Sequence, residues 1–271
     1  MTGLTWRGLH MKGLAWGALL AAVALAVLLG PWLAPYDPAG QDVALGAVGP
    51  SATHLLGTDH LGRDVLSRVM VGAGTALVGP VFIAVGTTAL GATLGLLAGY
   101  RRGWLDAVLM RLNDLMFALP GLLILIVVVG VAGGSYLTAV LALIVLGAPY
   151  DIRVIRSLVL SQRELAYVDA ARTLRLSTRR IMFRHVLPNL TPTVTANLLL
   201  NFVFALIAMS GLSFLGIGLP PGTPDWGLMI QENRTILDLN PWATLAPTLL
   251  ITITAVVATL LGDRVSERLS S

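Results

Sequence analysis

Three residues within seven positions could hold a metal ion: His54, Asp59 and His60. Two imidazoles and a carboxylate are zinc-type ligands, but no third nitrogen or sulfur donor lies nearby. The alternative is a turn and a short amphipathic helix. Gly57 and Gly62 would punctuate it, and Asp64 and Arg68 would form an i,i+4 pair. We expect no metal here. Other chemistries lack their residues. The only lysine, Lys12, precedes Gly13, whereas a phosphate-binding loop needs Gly-Lys-Ser or Gly-Lys-Thr, so this chain is not expected to hydrolyse ATP. The four histidines, at 10, 54, 60 and 185, form no His-Glu-x-x-His. No Ser–His or paired-carboxylate arrangement falls at membrane depth. With no cysteine, disulfide and thiolate chemistry are excluded. The chain reads as non-catalytic.

The densest polar stretch lies between Asp151 and Pro192 and carries eight arginines, at 153, 156, 163, 172, 175, 179, 180 and 184. Each unpaired charge in hydrocarbon costs about several kcal/mol, so this stretch must sit in water or against a partner. Its pattern predicts two short helices. The first covers about Glu164 to Thr173. The second is capped by Ser177 and runs to about Val186, where Pro188 and Pro192 stop it. Ile181, Met182, His185 and Val186 share one face. A solvated basic loop held on the inner side of a membrane would read the same way.

Fewer polar residues interrupt the apolar runs. Arg111 and Asp114, at i,i+3, are expected to neutralise each other near a helix end. Asn197 and Asn201 stand one turn apart, after Thr191, Thr193 and Thr195. They either line a polar path or hydrogen-bond a neighbouring helix. Thr248 and Thr252 repeat the theme.

The elements that must position these groups are membrane spans. Hydrophobic residues make up 56% and charged residues 12% of the chain, and its mean hydropathy is +0.82. A soluble domain has roughly twice that charge. We expect an all-α polytopic membrane protein with six transmembrane helices: about Leu14–Leu33, Gly74–Gly99, Leu105–Val131, Tyr136–Pro149, Pro192–Gly216 and Ala243–Leu261. Pro120 should kink the third, and Gly91, Gly95 and Gly99 should let a helix approach the second closely. With both termini in the cytoplasm, Arg7, Lys12, Arg101, Arg102, the eight loop arginines, Arg264 and Arg268 lie inside. Only Arg63, Arg68 and Arg234 lie outside, which orients the chain. The same clustering explains the basic excess better than nucleic-acid binding does. The resulting layout is a cytoplasmic N-terminus and first span (1–35), an external loop (36–73), a transmembrane core (74–262) with a cytoplasmic loop at 151–191, and a cytoplasmic tail (263–271).

Four stretches carry a family resemblance. Asp169-Ala170-Ala171, a turn at 174–176, Ile181 and Leu187-Pro188 resemble the cytoplasmic EAA loop of ABC importer permeases. The stretch from His54 through Thr58-Asp59-His60-Leu61-Gly62-Arg63-Asp64 to Arg68 resembles a signature of the second permease of dipeptide, oligopeptide and nickel importers. Met116 to Gly121 and Ser213 to Ile230 resemble the same group. The resemblance implies a type I importer permease in a bacterial or archaeal inner membrane. It would pair with a sibling permease as a heterodimer, with two ATPase subunits that hold ATP and Mg, and with an extracytoplasmic solute-binding protein. Lipid would surround it, and this chain would hold no cofactor. The resemblance assigns ATPase coupling to Asp169, Ala170, Ala171, Leu174, Arg175, Leu176 and Pro188. It turns Thr58, Asp59, Gly62, Arg63, Asp64, Pro224 and Trp226 toward the binding protein. Asn197, Asn201, Thr248 and Thr252 remain for a translocation path. The acid is Asp169 where the family has Glu, and Arg175 stands where it has Gly, a residue that tolerates positive φ. Peptides are the implied cargo, with nickel, a metal chelate or glutathione as the alternative. A secondary transporter is the competing class, and it would need buried acids or histidines.

Overall fold

The computed structural model describes Leu25 and residues 28–270, with side chains through Arg264. Most of the first expected span lies outside the described residues. The fold that remains is helical. Its elements are α1 (Val65–Arg101), α2 (Gly103–Phe117), α3 (Gly121–Val131), α4 (Tyr136–Gln162), α5 (Ala166–Thr173) and α6 (Thr178–Ile181). A π turn (Met182–Val186) and a 3-10 turn (Leu187–Leu190) lead into α7 (Thr191–Phe214), followed by α8 (Trp226–Asn233) and α9 (Trp242–Ser270). Among the described residues no strand forms, and one isolated bridge pairs Thr58 with Asp64. Four helical runs are long and apolar enough to cross a membrane: α1, α4, the run Thr178–Phe214, and α9. Among the described residues the bent pair α2–α3 passes the same test only when its two helices are taken together, as a broken span or a re-entrant loop.

Three elements depart from the sequence reading. Pro120 does more than kink a helix. α2 ends at Phe117, Pro120 caps α3, and the two axes differ by 91°. Proline lacks the N–H that would continue the ladder, and its ring disfavours helical geometry at the residue before it. Pro149 does not end α4, which runs on to Gln162 with the proline inside it. Asn113 on α2 donates to the Pro149 carbonyl at 3.1 Å. The arginines 153 and 156 therefore belong to a helix, not to the loop. Finally, Pro188 and Pro192 do not stop the second loop helix. Pro188 opens a 3-10 turn and Pro192 sits in the first turn of α7, positions where a missing N–H costs little. The chain stays helical from Thr178 to Phe214.

Among the described residues the chain divides into two compact units, one of the residues up to Pro80 with 206–261 and the other of 81–205 with 262–270. The first packs Val65, Val69, Met229, Ala243 and Ala246 together. Two of its helix starts are capped by aspartate. Asp64 accepts from the Ser67 amide at 2.8 Å, and Asp225 accepts from the Gly227 and Leu228 amides at 3.0 and 3.1 Å. The Trp226 indole donates to the Val69 carbonyl at 2.9 Å, and Gly227 presses its backbone against Ser210, where a side chain would collide.

The second unit packs Leu96, Ile155, Val159, Val168, Ala171, Ile181, Met182, Val186 and Leu190. Gly91, Gly95 and Gly99 form a seam against Asp151, Ile152, Arg156 and Val159 of α4, where a Cβ would clash. The glycine row thus serves packing within the chain. Arg156 clasps Asp106 of α2 with two donors, Nη2 to Oδ2 at 2.7 Å and Nε to Oδ1.

Candidate functional site

The arginine-rich segment begins where α4 ends. Arg163 donates to the Tyr100 carbonyl at 3.0 Å, and the Tyr167 hydroxyl donates to Gln162 at 2.8 Å, so the start of α5 is tied to its surroundings. α5 is sharply two-faced. Val168 and Ala171 are buried in the core, while Asp169, Ala170, Arg172 and Leu174 are exposed. Arg172 donates to Asp169 at 2.8 Å and lies over the Tyr100 ring, 5.8 Å from its centre.

The helix then ends in a left-handed turn. Arg175 has φ of 54°, its amide donates to Arg172 at 2.9 Å, and the Leu176 amide reaches back to Ala171 at 3.2 Å. This is the doubly bonded helix end that usually carries glycine at the left-handed position. The turn keeps its geometry with arginine in place, and the half-buried Leu176 packs against the core. Ser177 then caps α6, and Ile181, Met182 and Val186 are buried. His185 is half-buried and Pro188 is exposed. Of the seven residues marked for coupling, Asp169, Ala170, Leu174, Arg175 and Pro188 are exposed. Ala171 and Leu176 face inward as anchors.

Asn197 and Asn201 hydrogen-bond to neighbouring helices. Asn197 donates to Asp151 Oδ1 at 3.1 Å, and Asn201 donates to Asp151 Oδ2 at 2.7 Å and to Thr88 at 3.0 Å. Asp151 itself is 1% exposed. Reading α4 as ending at Pro149 left this acid in a loop and hid it. A buried acid thus lies within a helix able to span a membrane, in addition to the Asp114 expected near a helix end. Asp114 in turn pairs with Arg153 at 2.8 Å rather than with Arg111, and Arg153 also lies over Phe117. In the other unit, the Thr248 and Thr252 hydroxyls are exposed and donate to carbonyls one turn back, Thr244 and Thr248, at 2.8 and 2.9 Å.

The residues expected to face a binding protein are mostly interior. Thr58, Asp59, Gly62, Arg63, Asp64 and Trp226 are buried, and Pro224 is half-buried. They build the interior of the loop before α1 instead of forming its surface. Asp59 Oδ2 accepts from Arg63 Nε at 2.6 Å and lies 3.4 Å from Arg68 Nε. Glu232 Oε2 takes the other ends of both guanidinium groups, at 2.9 and 3.2 Å, and its Oε1 accepts from the Gly222 amide at 2.6 Å. Arg68 also donates to the carbonyls of Pro38 and Gly222. Asp64 pairs with His54 at 2.9 Å and not with Arg68, because its oxygens are spent on the helix cap and the imidazole. His60 turns to Asn233 at 3.3 Å, so the two imidazoles have different partners. Glu232, Asn233 and Asn240, which donates to the carbonyls of Leu56 and Thr58, lie too far along the chain for local spacing to reveal.

The family model for the binding-protein-dependent transport system inner membrane component matches residues 91–271. The chain belongs to this family. It is a multi-pass inner-membrane permease of the ABC importer type, whose members work with a partner permease, an ATPase and a binding protein. Among relatives, the permease is 34% identical to a glutathione transport system permease protein, GsiD, of Pectobacterium atrosepticum, over 97% of this chain and 90% of that one. It is 36% identical to GsiD of Escherichia coli O6:K15:H31, over 97% and 88%. A solved structure of the MetNI methionine ABC transporter in an inward-facing conformation shares the fold. Its TM-score is 0.61 at 15% identity, covering 74% of this permease and 95% of that chain.

Proposed function

We infer that this permease is a non-catalytic transport subunit that passes a small peptide across the inner membrane, driven by ATP hydrolysed on separate subunits. The observation that carries this reading is α5: an exposed helical ridge of Asp169, Ala170 and Leu174 on a buried anchor of Val168, Ala171 and Leu176. A rigid ridge projecting from helices that can cross a membrane suits docking into a groove on a partner. Asp169, Ala170, Leu174, Arg175 and Pro188 meet the ATPase in this reading, and ATP and Mg stay on it. The sibling permease forms a heterodimer with this chain and supplies the other side of the path, and in this reading Thr248 and Thr252 belong to this chain's side of it. The binding protein rests on the external loop that Asp59, Arg63 and Trp226 hold in shape. The GsiD relatives make glutathione, itself a tripeptide, the first cargo to test among di- and oligopeptides, with nickel or its chelates behind it.

A self-sufficient secondary transporter draws on one observation, the buried Asp151. Its carboxylate is occupied by two amides, so it offers no open site for an ion. Native mass spectrometry of the complex purified through a tag on this chain decides between the readings. Copurification of an ATPase and a similar permease is expected. A chain that flies alone, with full transport in vesicles, overturns the importer assignment.

A further inference from the structure

Asp151 is the feature that coupling and packing leave unexplained. A carboxylate buried within a helix able to span a membrane is costly, and apolar side chains of similar volume would often pack at no loss. Both of its oxygens are met by amides, from Asn197 and Asn201, one turn apart on α7. A third helix is drawn in. Thr88 on α1 accepts from Asn201, and Gly91, one turn further along α1, leaves the space that the Asp151 side chain fills. Both carboxylate oxygens are bonded and the cluster is close-packed, so it is built to hold.

Its place in the chain says what it holds. α4 leads out to α5 and α6, and α7 brings the chain back. The bond from Asp151 to Asn197 closes a loop of 46 residues that contains the whole arginine-rich segment. Without that closure, a push on α5 could hinge α4 away from α7. With it, the two helices are tied to each other at this level.

We propose that Asp151, Asn197, Asn201 and Thr88 form a clamp at the root of the coupling segment, which makes α4 and α7 move together and so transmits ATPase movement into the membrane. These are positioning residues. The proposal rests on the coupling reading above.

The cysteine-free chain lets spin labels be placed singly. In the full complex in lipid nanodiscs, labels on Ser157→Cys of α4 and Leu200→Cys of α7 report their separation without nucleotide and after trapping with ATP, Mg and vanadate. The separation is expected to stay fixed in the otherwise native chain. In Asp151→Asn it should broaden or shift on trapping, and stimulation of the ATPase by the binding protein should fall at least about fivefold. The exchange Asp151→Asn with Asn201→Asp should restore both, which a mere loss of stability would not allow. A native separation that changes on trapping overturns the clamp, as does an Asp151→Asn protein that behaves as native. If Asp151→Asn does not assemble, Thr88→Ala decides: a widened separation supports the clamp and an unchanged one overturns it. A label at Thr173→Cys on α5 separates the two claims. If trapping leaves its spectrum unchanged, the coupling reading falls and the clamp with it. If its spectrum changes while the clamp tests fail, only the clamp falls.

Discussion

Arg63 donates to Glu232 at 2.9 Å across 169 residues of sequence, with the arginine side chain 2% exposed. Arg68, fully buried, reaches the same carboxylate oxygen at 3.2 Å. Two cations thus share Asp59 and Glu232, and the four side chains join the loop before α1 to α8. Removing one acid leaves two guanidinium groups sharing a single partner.

Glu232→Ala is therefore expected to destabilise this unit by about 3–5 kcal/mol, the range for breaking a buried pair from one side. Glu232→Gln keeps the acceptor oxygen and should lose less. Thermal unfolding of the detergent-solubilised chain, or of the assembled complex, gives the order: native above Gln above Ala. Equal transitions for all three would mean that the network is not holding the loop.

Asp225 answers to pH. Burial raises its carboxyl above the ordinary value of 3.8, while the Leu228 amide, the Ser213 hydroxyl and the Gly227 amide pull the other way. The folded state then binds this proton more readily than the unfolded state. Stability from this group is gained as pH falls from the raised value toward 3.8 and is lost as pH climbs through that window. Asp225→Asn keeps the oxygen that caps α8 and cannot ionise. It should flatten this contribution and be no less stable at neutral pH. A steeper loss of stability at neutral pH in the variant would show that the cap needs the charge.

Arg175 holds φ of 54°, where most side chains are strained. Arg175→Gly is expected to raise stability by up to about 1 kcal/mol by removing that strain. Arg175→Val, with its branch at Cβ, should lower it. Thermal unfolding of the two variants against the native chain is the measurement. A glycine variant no more stable than the valine variant would mean that the turn relaxes at no cost.

What the sequence revealed and what it hid follow from range. The apolar runs and the two-faced loop helices repeat over a few residues, so α1, α5 and the face of Ile181, Met182 and Val186 were legible. Local charge pairs were not. Spacing proposed Asp64 with Arg68 and Arg111 with Asp114, yet both acids have other partners, one a cap and an imidazole, the other Arg153 on a different helix. Prolines misled in two ways. Pro188 and Pro192 fall in first turns where a helix accepts them, and Pro149 lies inside a helix that packing sustains. That last misreading concealed Asp151, whose partners stand 46 and 50 residues away.

The exposed and buried faces of α5 give the sharpest test of coupling. Ala170 is exposed and Ala171 is 5% exposed, though they are neighbours. Ala171→Asp would bury an unpaired charge among Val168, Ile181 and Met182 and should prevent assembly. Ala170→Asp places the same charge on the ridge, where the fold has no need of the methyl group. It should leave the chain folded and assembled with its sibling permease, while ATP-driven uptake into vesicles falls steeply. Asp169→Arg, which also breaks the pair with Arg172, should do the same. Uptake at the native level in both exposed variants would remove α5 from the coupling surface. Loss of assembly in Ala170→Asp equal to that in Ala171→Asp would mean that the ridge is packing and not a docking face.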